Sequence, residues 1–145
     1  MAKMDDYSLL RAFRKLEMFS NLDSEEARIL LALGEARSYT PPAKLWSAGE
    51  HSNFFIVVLN GHLRAIKPDG QIFFELGPGE VMGVGDVFTG GQRALDIEVA
   101  ETSTVLFFYY QKLRTLIGDN PLVYIKVLEA VVRLLRAELK ERTGV

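Results

Sequence analysis

Apolar residues first recur three and four positions apart at Leu9, Leu10, Phe13 and Leu16, behind Asp5 and Asp6. That spacing predicts a short amphipathic helix at the start of the fold. Asp23-Ser-Glu-Glu26 reads as a capping box, in which the Asp23 carboxylate accepts a backbone N–H and Glu26 reaches back. A second helix is therefore predicted to about Ala36, with Ala27, Leu30, Leu31 and Gly34 on its inner side. From Arg37 to Tyr110 the helical period gives way to short apolar runs separated by Pro41-Pro42, Ala48-Gly49, Asn60-Gly61, Asp69-Gly70, Gly77-Pro78-Gly79 and Gly90-Gly91. Turn signals at intervals of roughly 8–12 residues are those of a β-sandwich or barrel. Phe54–Leu59, Asn60-Gly61 and His62–Lys67 predict a hairpin, because Asn-Gly tolerates the positive φ of a type I′ turn. Asp69-Gly70 predicts a second hairpin into Gln71–Leu76, and the apolar run Thr104–Tyr110 a central last strand.

Helical spacing returns at Gln111–Ile117, and after Gly118 the pair Asn120-Pro121 supplies a cap and a first-turn proline for a long final helix. Ile125, Leu128, Val132, Leu135 and Leu139 form a stripe on it that can seat a second helix, while Val127, Val131 and Leu134 form another apolar face. A helix with two apolar faces has two neighbours. The expectation is packing on the chain's own barrel and on a second copy, giving a homodimer through Leu122–Arg142.

Composition narrows the class. The 145 residues are 48% hydrophobic and 25% charged, which suits one globular domain: helices over 1–36, a β-barrel over 37–110 and helices over 111–145. Seventeen basic against nineteen acidic side chains leave a net charge of −2, no field for gathering phosphate backbones, so no nucleic-acid partner is expected. The absence of cysteine removes disulfides, thiolate nucleophiles and Cys-based zinc sites. Phe54–Leu59 and Val105–Tyr110, the longest apolar runs, fall far short of the roughly 18 residues that span a bilayer. Met1–Asp6 is acidic and polar, unlike a secretory signal, and a cytoplasmic location without a membrane partner is the expectation.

Local motifs then add up in order. They run Leu16-Glu-Met-Phe-Ser-Asn-Leu22, Tyr39, Leu45-Trp46 with Ala48-Gly49-Glu50, Phe54-Phe-Ile-Val-Val-Leu-Asn-Gly61, Leu76-Gly-Pro-Gly-Glu80 and Ala100-Glu-Thr102. With two opening helices, an eight-strand-like β region and a long closing helix, the chain resembles the cyclic nucleotide-binding domain family, to which the sensor half of the catabolite activator protein belongs. The resemblance implies a mainly β fold with flanking helices: a double-stranded β-helix, or jelly-roll, barrel between N-terminal helices and a long C-terminal helix. It also implies a phosphate-binding cassette in which a Gly-Glu pair opens a short helix and an arginine arrives before the next strand. Such a cassette neutralises a cyclic phosphate with helix N–H groups and a guanidinium fork, while the glutamate accepts from the ribose hydroxyl.

The corresponding stretch here is Gly83-Val-Gly-Asp-Val-Phe88 followed by Thr89-Gly-Gly-Gln-Arg-Ala-Leu95, so the candidate ligand-binding residues are Gly83, Val84, Gly85, Asp86, Arg93, Ala94 and Leu95. Valine stands at position 84 in place of the glutamate. The arginine position falls on Ala94, with Arg93 one residue early, which on a strand points to the other face. A bulge or a rearranged Gly90-Gly91 loop would restore Arg93, and Asp86, two residues past Val84, would replace the acceptor only with a different ligand pose, so both substitutes are imperfect. Each lost charge-assisted hydrogen bond is worth about 1.5–3 kcal/mol, so together the two changes weaken a cyclic nucleotide by about two to four powers of ten.

Other chemistry is thin. His51 and His62, eleven residues apart without a third histidine, do not make a metal site. Glu75, Glu80, Glu98 and Glu101 have no fixed catalytic partner, and the glycine-rich stretches lack the Lys-Ser ending of a P-loop. Trp46 and the aromatics at 54–55 and 107–110 read as barrel packing. Arg133, Arg136, Lys140 and Arg142 alternate with Glu129, Glu138 and Glu141 as a solvated face, and no helix-turn-helix is expected after Val145. The expected function is a non-enzymatic regulatory or sensor module with weak, altered or lost cyclic nucleotide binding, cAMP or cGMP being the candidate ligand and no cofactor or metal being expected. The alternative is a protein-interaction or assembly subunit that uses the fold as scaffold for another protein partner.

Overall fold

The computed structural model describes residues 6–143; the opening residues 1–5 and the last two, 144–145, with the readings made of them, lie outside it. Two compact units are formed, one by Gly34–Tyr110 and one by the residues on either side of it. The first holds the six strands found among the described residues, β1 (Gly34–Tyr39), β2 (Lys44–Trp46), β3 (Phe54–Ile66), β4 (Ile72–Leu76), β5 (Val81–Met82) and β6 (Asp96–Tyr109), with the short helix α3 (Val84–Thr89). They make one antiparallel sheet in the order β1-β6-β3-β4, with β2 also pairing β6 and β5 pairing β3. The fold is mainly β with flanking helices, in the jelly-roll manner.

The long strands β3 and β6 pair from Phe54↔Tyr109 to Ile66↔Asp96 and carry the core on alternate positions. Ile56, Val58, Leu63, Ala65, Ile97, Val99, Val105 and Phe107 pack with Trp46 and Leu76 in one cluster. Phe55 and Phe108 stack on the opposite face, ring centroids 5.3 Å apart. Burial on both faces explains why Thr104–Tyr109 lacks polar alternation.

Three readings of the sequence are corrected. The second helix, α2 (Ser24–Leu31), ends well before Ala36, and Gly34–Ala36 open β1 instead. There Gly34 faces Phe108, and a Cβ on it would come 2.9 Å from Leu106 Cδ1, so the glycine serves a close strand crossing rather than a helix face. Asn60-Gly61 is no hairpin turn: β3 runs through it, and its register against β6 slips at Val58/Asn60, Asn60/His62 and His62/Leu63. Side chains replace the broken ladder, with the Thr104 N–H donating to Asn60 Oδ1 at 3.0 Å and the His62 N–H to Ser103 Oγ at 2.9 Å. The glycine's positive φ of 96° is used to bend a bulged strand. Gln111–Ile117 is not one helical segment either, because it divides between α4 (Tyr110–Arg114) and α5 (Leu116–Asp119). Thr115 N–H and Gly118 N–H each donate three residues back, tightening the chain at the break. The hairpin through Asp69-Gly70 forms as read, joining β3 to β4.

In the second unit the capping box at α2 is complete: Glu26 N–H donates to Asp23 Oδ1 at 2.8 Å and Asp23 N–H to Glu26 Oε1 at 3.0 Å. The same Glu26 oxygen accepts from Lys126 Nζ at 2.7 Å, tying α2 to α6 (Pro121–Thr143). α1 (Asp6–Arg14) supplies Phe13, which stacks on Phe19 at 4.9 Å. Along α6, Val123, Val127, Ala130 and Val131 are buried, whereas Ile125, Leu128, Val132 and Leu139 are exposed and Leu135 is half-buried. No helix among the described residues is long and apolar enough to cross a membrane.

Candidate functional site

The site is built on the connection from β5 to β6. Gly83, in the left-handed region with φ of 93°, turns the chain into α3, and Gly90, likewise left-handed, turns it out again. The returning segment is pinned to the loop before β3: Arg93 N–H donates to the Glu50 carbonyl at 2.9 Å, and Gly49 N–H to the Arg93 carbonyl at 2.7 Å. His51 and Gln92 form a β-bridge beside them. This pairing sets the phase of the segment. Arg93 is buried, its side chain only 1% exposed, and its neighbour Ala94 is exposed.

The guanidinium turns into the protein. Nη1 donates to the Gly83 carbonyl at 3.2 Å and Nη2 to the Phe54 carbonyl. Its carbon lies 3.7 Å from the centroid of the Trp46 ring and 5.0 Å from that of Phe54, a desolvated cation–π seat. Trp46 is itself held by Nε1 donating to the Leu95 carbonyl at 3.0 Å and by an edge contact with Phe54 at 5.6 Å. Glycine suits position 83 because the φ of 93° strains any residue with a Cβ, and that atom would also press on the Arg93 guanidinium and the Trp46 ring. Burial pulls the guanidinium's pKa down, opposed by the charges of Asp86 and Glu50. Arginine stays protonated through the working pH range all the same.

Asp86 Oδ2 lies 3.7 Å from Arg93 Nη1, beyond direct hydrogen-bond length yet within ion-pair range, and its side chain is 35% exposed. Val84, at the position of the glutamate that the resemblance implies, is buried, as is Val87. Of the candidate residues, Gly83, Asp86 and Arg93 come together. Val84 joins the packed interior, Ala94 faces outward, and Leu95 contributes its carbonyl to Trp46 and its side chain to the barrel core. The sequence did not single out Trp46 or Phe54 as partners of the arginine. Both are barrel-core aromatics, and their second use follows from chain pairing at 49–50 and 93 that no local motif encodes.

The histidines have separate surroundings. His62 Nε2 pairs with Glu75 Oε2 at 3.1 Å, and hydrogen bonds from His62 and Arg64 hold the Glu75 carboxyl below its ordinary pKa. Among the described residues no three His, Asp or Glu side chains are grouped to hold a metal ion.

With this geometry in place, residues 36–120 match the cyclic nucleotide-binding domain family, and the chain belongs to it. A cyclic nucleotide-binding domain from Methylobacillus flagellatus superposes with a TM-score of 0.81 at 22% identity, over 93% of this chain and 78% of that one. The catabolite activator protein of Thermus thermophilus superposes with a TM-score of 0.70 at 25% identity, over 86% of this chain and 61% of that one. Among curated proteins, an uncharacterized NTE family protein of Mycobacterium tuberculosis is 24% identical over 133 residues, 92% of this chain. The chain spans 23% of that relative's length.

Proposed function

We propose that the chain is a non-enzymatic regulatory module of the cyclic nucleotide-binding fold, one domain made of both compact units, that has given up cyclic nucleotide as its ligand. The observation that carries this reading is Arg93: its guanidinium is held by the Gly83 and Phe54 carbonyls against the Trp46 ring rather than presented to solvent. A cyclic phosphate would have to break those contacts, and with a buried valine at position 84 and Asp86 turned to the guanidinium, a ribose hydroxyl loses the acceptor that the family places at position 84. Losing two charge-assisted anchors weakens binding by about two to four powers of ten. Titration calorimetry with cAMP and with cGMP is expected to give no heat of binding up to about 1 mM ligand. Micromolar binding that disappears in Arg93→Ala would overturn the reading.

With the cassette silent, the outer surface carries the function, and α6 is the part of it suited to a partner. Ile125, Leu128, Val132 and Leu139 are 52%, 36%, 64% and 61% exposed, an apolar stripe along one side of the helix. Glu129 and Arg133 stand beside Ile125, Leu128 and Val132 on this open face, offering opposite charges that a two-fold copy of the same helix can match. The wild-type chain is expected to sediment as a dimer and Val132→Glu as a monomer with unchanged far-UV circular dichroism. A monomeric wild type removes the self-pairing claim.

A further inference from the structure

We infer that Asp86 is a built-in anion: its carboxylate occupies the solvent side of Arg93 and excludes other anions from the cassette, so that Asp86 determines the specificity of the site. The inference rests on the reading of the cassette given above and extends it. Arg93 is sealed on its other sides by the Trp46 and Phe54 rings and the Gly83 and Phe54 carbonyls. The Arg93 side chain is 1% exposed against 35% for Asp86, so of the pair it is the carboxylate that water reaches. Two acids face the cation, Asp86 and the more distant Glu50, and among the described residues only Asp86 comes within ion-pair distance.

Two glycines, Gly90 and Gly91, stand on the chain side of that carboxylate, with Thr89 Oγ1 nearby. Gly91 has no side chain, and a Cβ there would fall 3.5 Å from Asp86 Oδ1; Gly90, beside it, has nothing within 4 Å of such an atom. Shortening Asp86 to alanine therefore removes the carboxylate nearest the buried cation and leaves it only the more distant Glu50. A buried charge without its partner takes up a small oxyanion when one can reach it. Acetate and longer carboxylates carry more bulk than the removed group, so formate is the probe that matches it.

The experiment is thermal unfolding of wild type and Asp86→Ala in sodium formate against sodium chloride at equal ionic strength. The variant is expected to show a saturable rise of about 3–5 °C at ten times the formate Kd, with none in chloride and none for wild type. Asp86→Asn, which fills the space with a neutral amide, is expected to gain less than half that shift. A folded Asp86→Ala that responds equally to both salts overturns the inference. If Asp86→Ala does not fold, Asp86→Asn carries the comparison, and failure of both to fold even with 100 mM formate, about ten times a 10 mM Kd, overturns it as well. Binding of cAMP by the wild type strikes at the silent cassette instead, and that titration is read separately.

Discussion

Gly61→Ala is expected to remove about 3–5 kcal/mol of stability, lowering the melting temperature by about 10–15 °C. Two effects add. A φ of 96° is strained for any residue with a Cβ, which alone accounts for about 1–2 kcal/mol. The new methyl would also lie 2.1 Å from Ser103 Oγ and 2.5 Å from Ser103 Cα, and the second is backbone that cannot rotate aside. Ser103 is fully buried and its hydroxyl already bridges the bend, accepting from His62 N–H at 2.9 Å and donating to the Glu101 carbonyl at 2.7 Å. Relief of the clash therefore breaks the contacts that stand in for the ladder. Gly70→Ala is the control: its φ is 88°, but nothing lies within 4 Å of the added atom, so only the strain of about 1–2 kcal/mol remains. Urea unfolding of both variants makes the comparison, and equal losses for the two would show that the close approach of β3 to β6 at Gly61 has no energetic weight.

The same dipeptide shows what a local signal can and cannot specify. Asn60-Gly61 announced a positive φ, and the fold has one. Whether that angle reverses the chain or bends it depends on where the following segment finds a partner. His62–Ile66 pairs onward along β6, as Phe54–Val58 does, and has no need to fold back on its own first half. Asp69-Gly70 made the same announcement and did reverse the chain, because Ile72–Leu76 pairs with the end of β3. Gly34 misled for a related reason: within its own stretch it continues the inner face of α2, and only Leu106 and Phe108, more than seventy positions away, explain the missing side chain. The capping box at Asp23 was legible because all of its bonds join residues three apart.

The site was legible in part and on the same terms. The helix at Val84–Thr89 and the glycines that enter and leave it are local, and so was the substitution of valine for an acid. The direction of Arg93 was not. A strand count gives its phase relative to Ala94, but that phase is set by hydrogen bonds to Gly49 and Glu50, across more than forty residues. The aromatic seat depends further on Trp46 and Phe54, contributed by the ends of two other strands. Family resemblance could flag the cassette as altered; the fate of its arginine needed the tertiary fold.

Trp46→Ala is expected to be the costliest single truncation in the cassette, at about 4–6 kcal/mol, against about 1–2 kcal/mol for Trp46→Phe. The indole is 3% exposed and belongs to the barrel-core cluster that includes Ile56, Leu63 and Ile97, so its removal opens a large cavity in that cluster. It also takes away the nearer of the two rings on Arg93, at 3.7 Å, leaving the buried guanidinium its polar contacts and the Phe54 ring at 5.0 Å. Phenylalanine retains an aromatic face for the cation and most of the packing, and loses the Nε1 bond to the Leu95 carbonyl. The two variants therefore separate the cation's seat from the hydrogen bond. Trp46 is the chain's sole tryptophan, so the unfolding of both variants is followed by circular dichroism. If Trp46→Ala loses no more than Trp46→Phe, the ring does not hold Arg93. The guanidinium would then be free to turn outward toward a ligand, and the case for a silent cassette would fall with it.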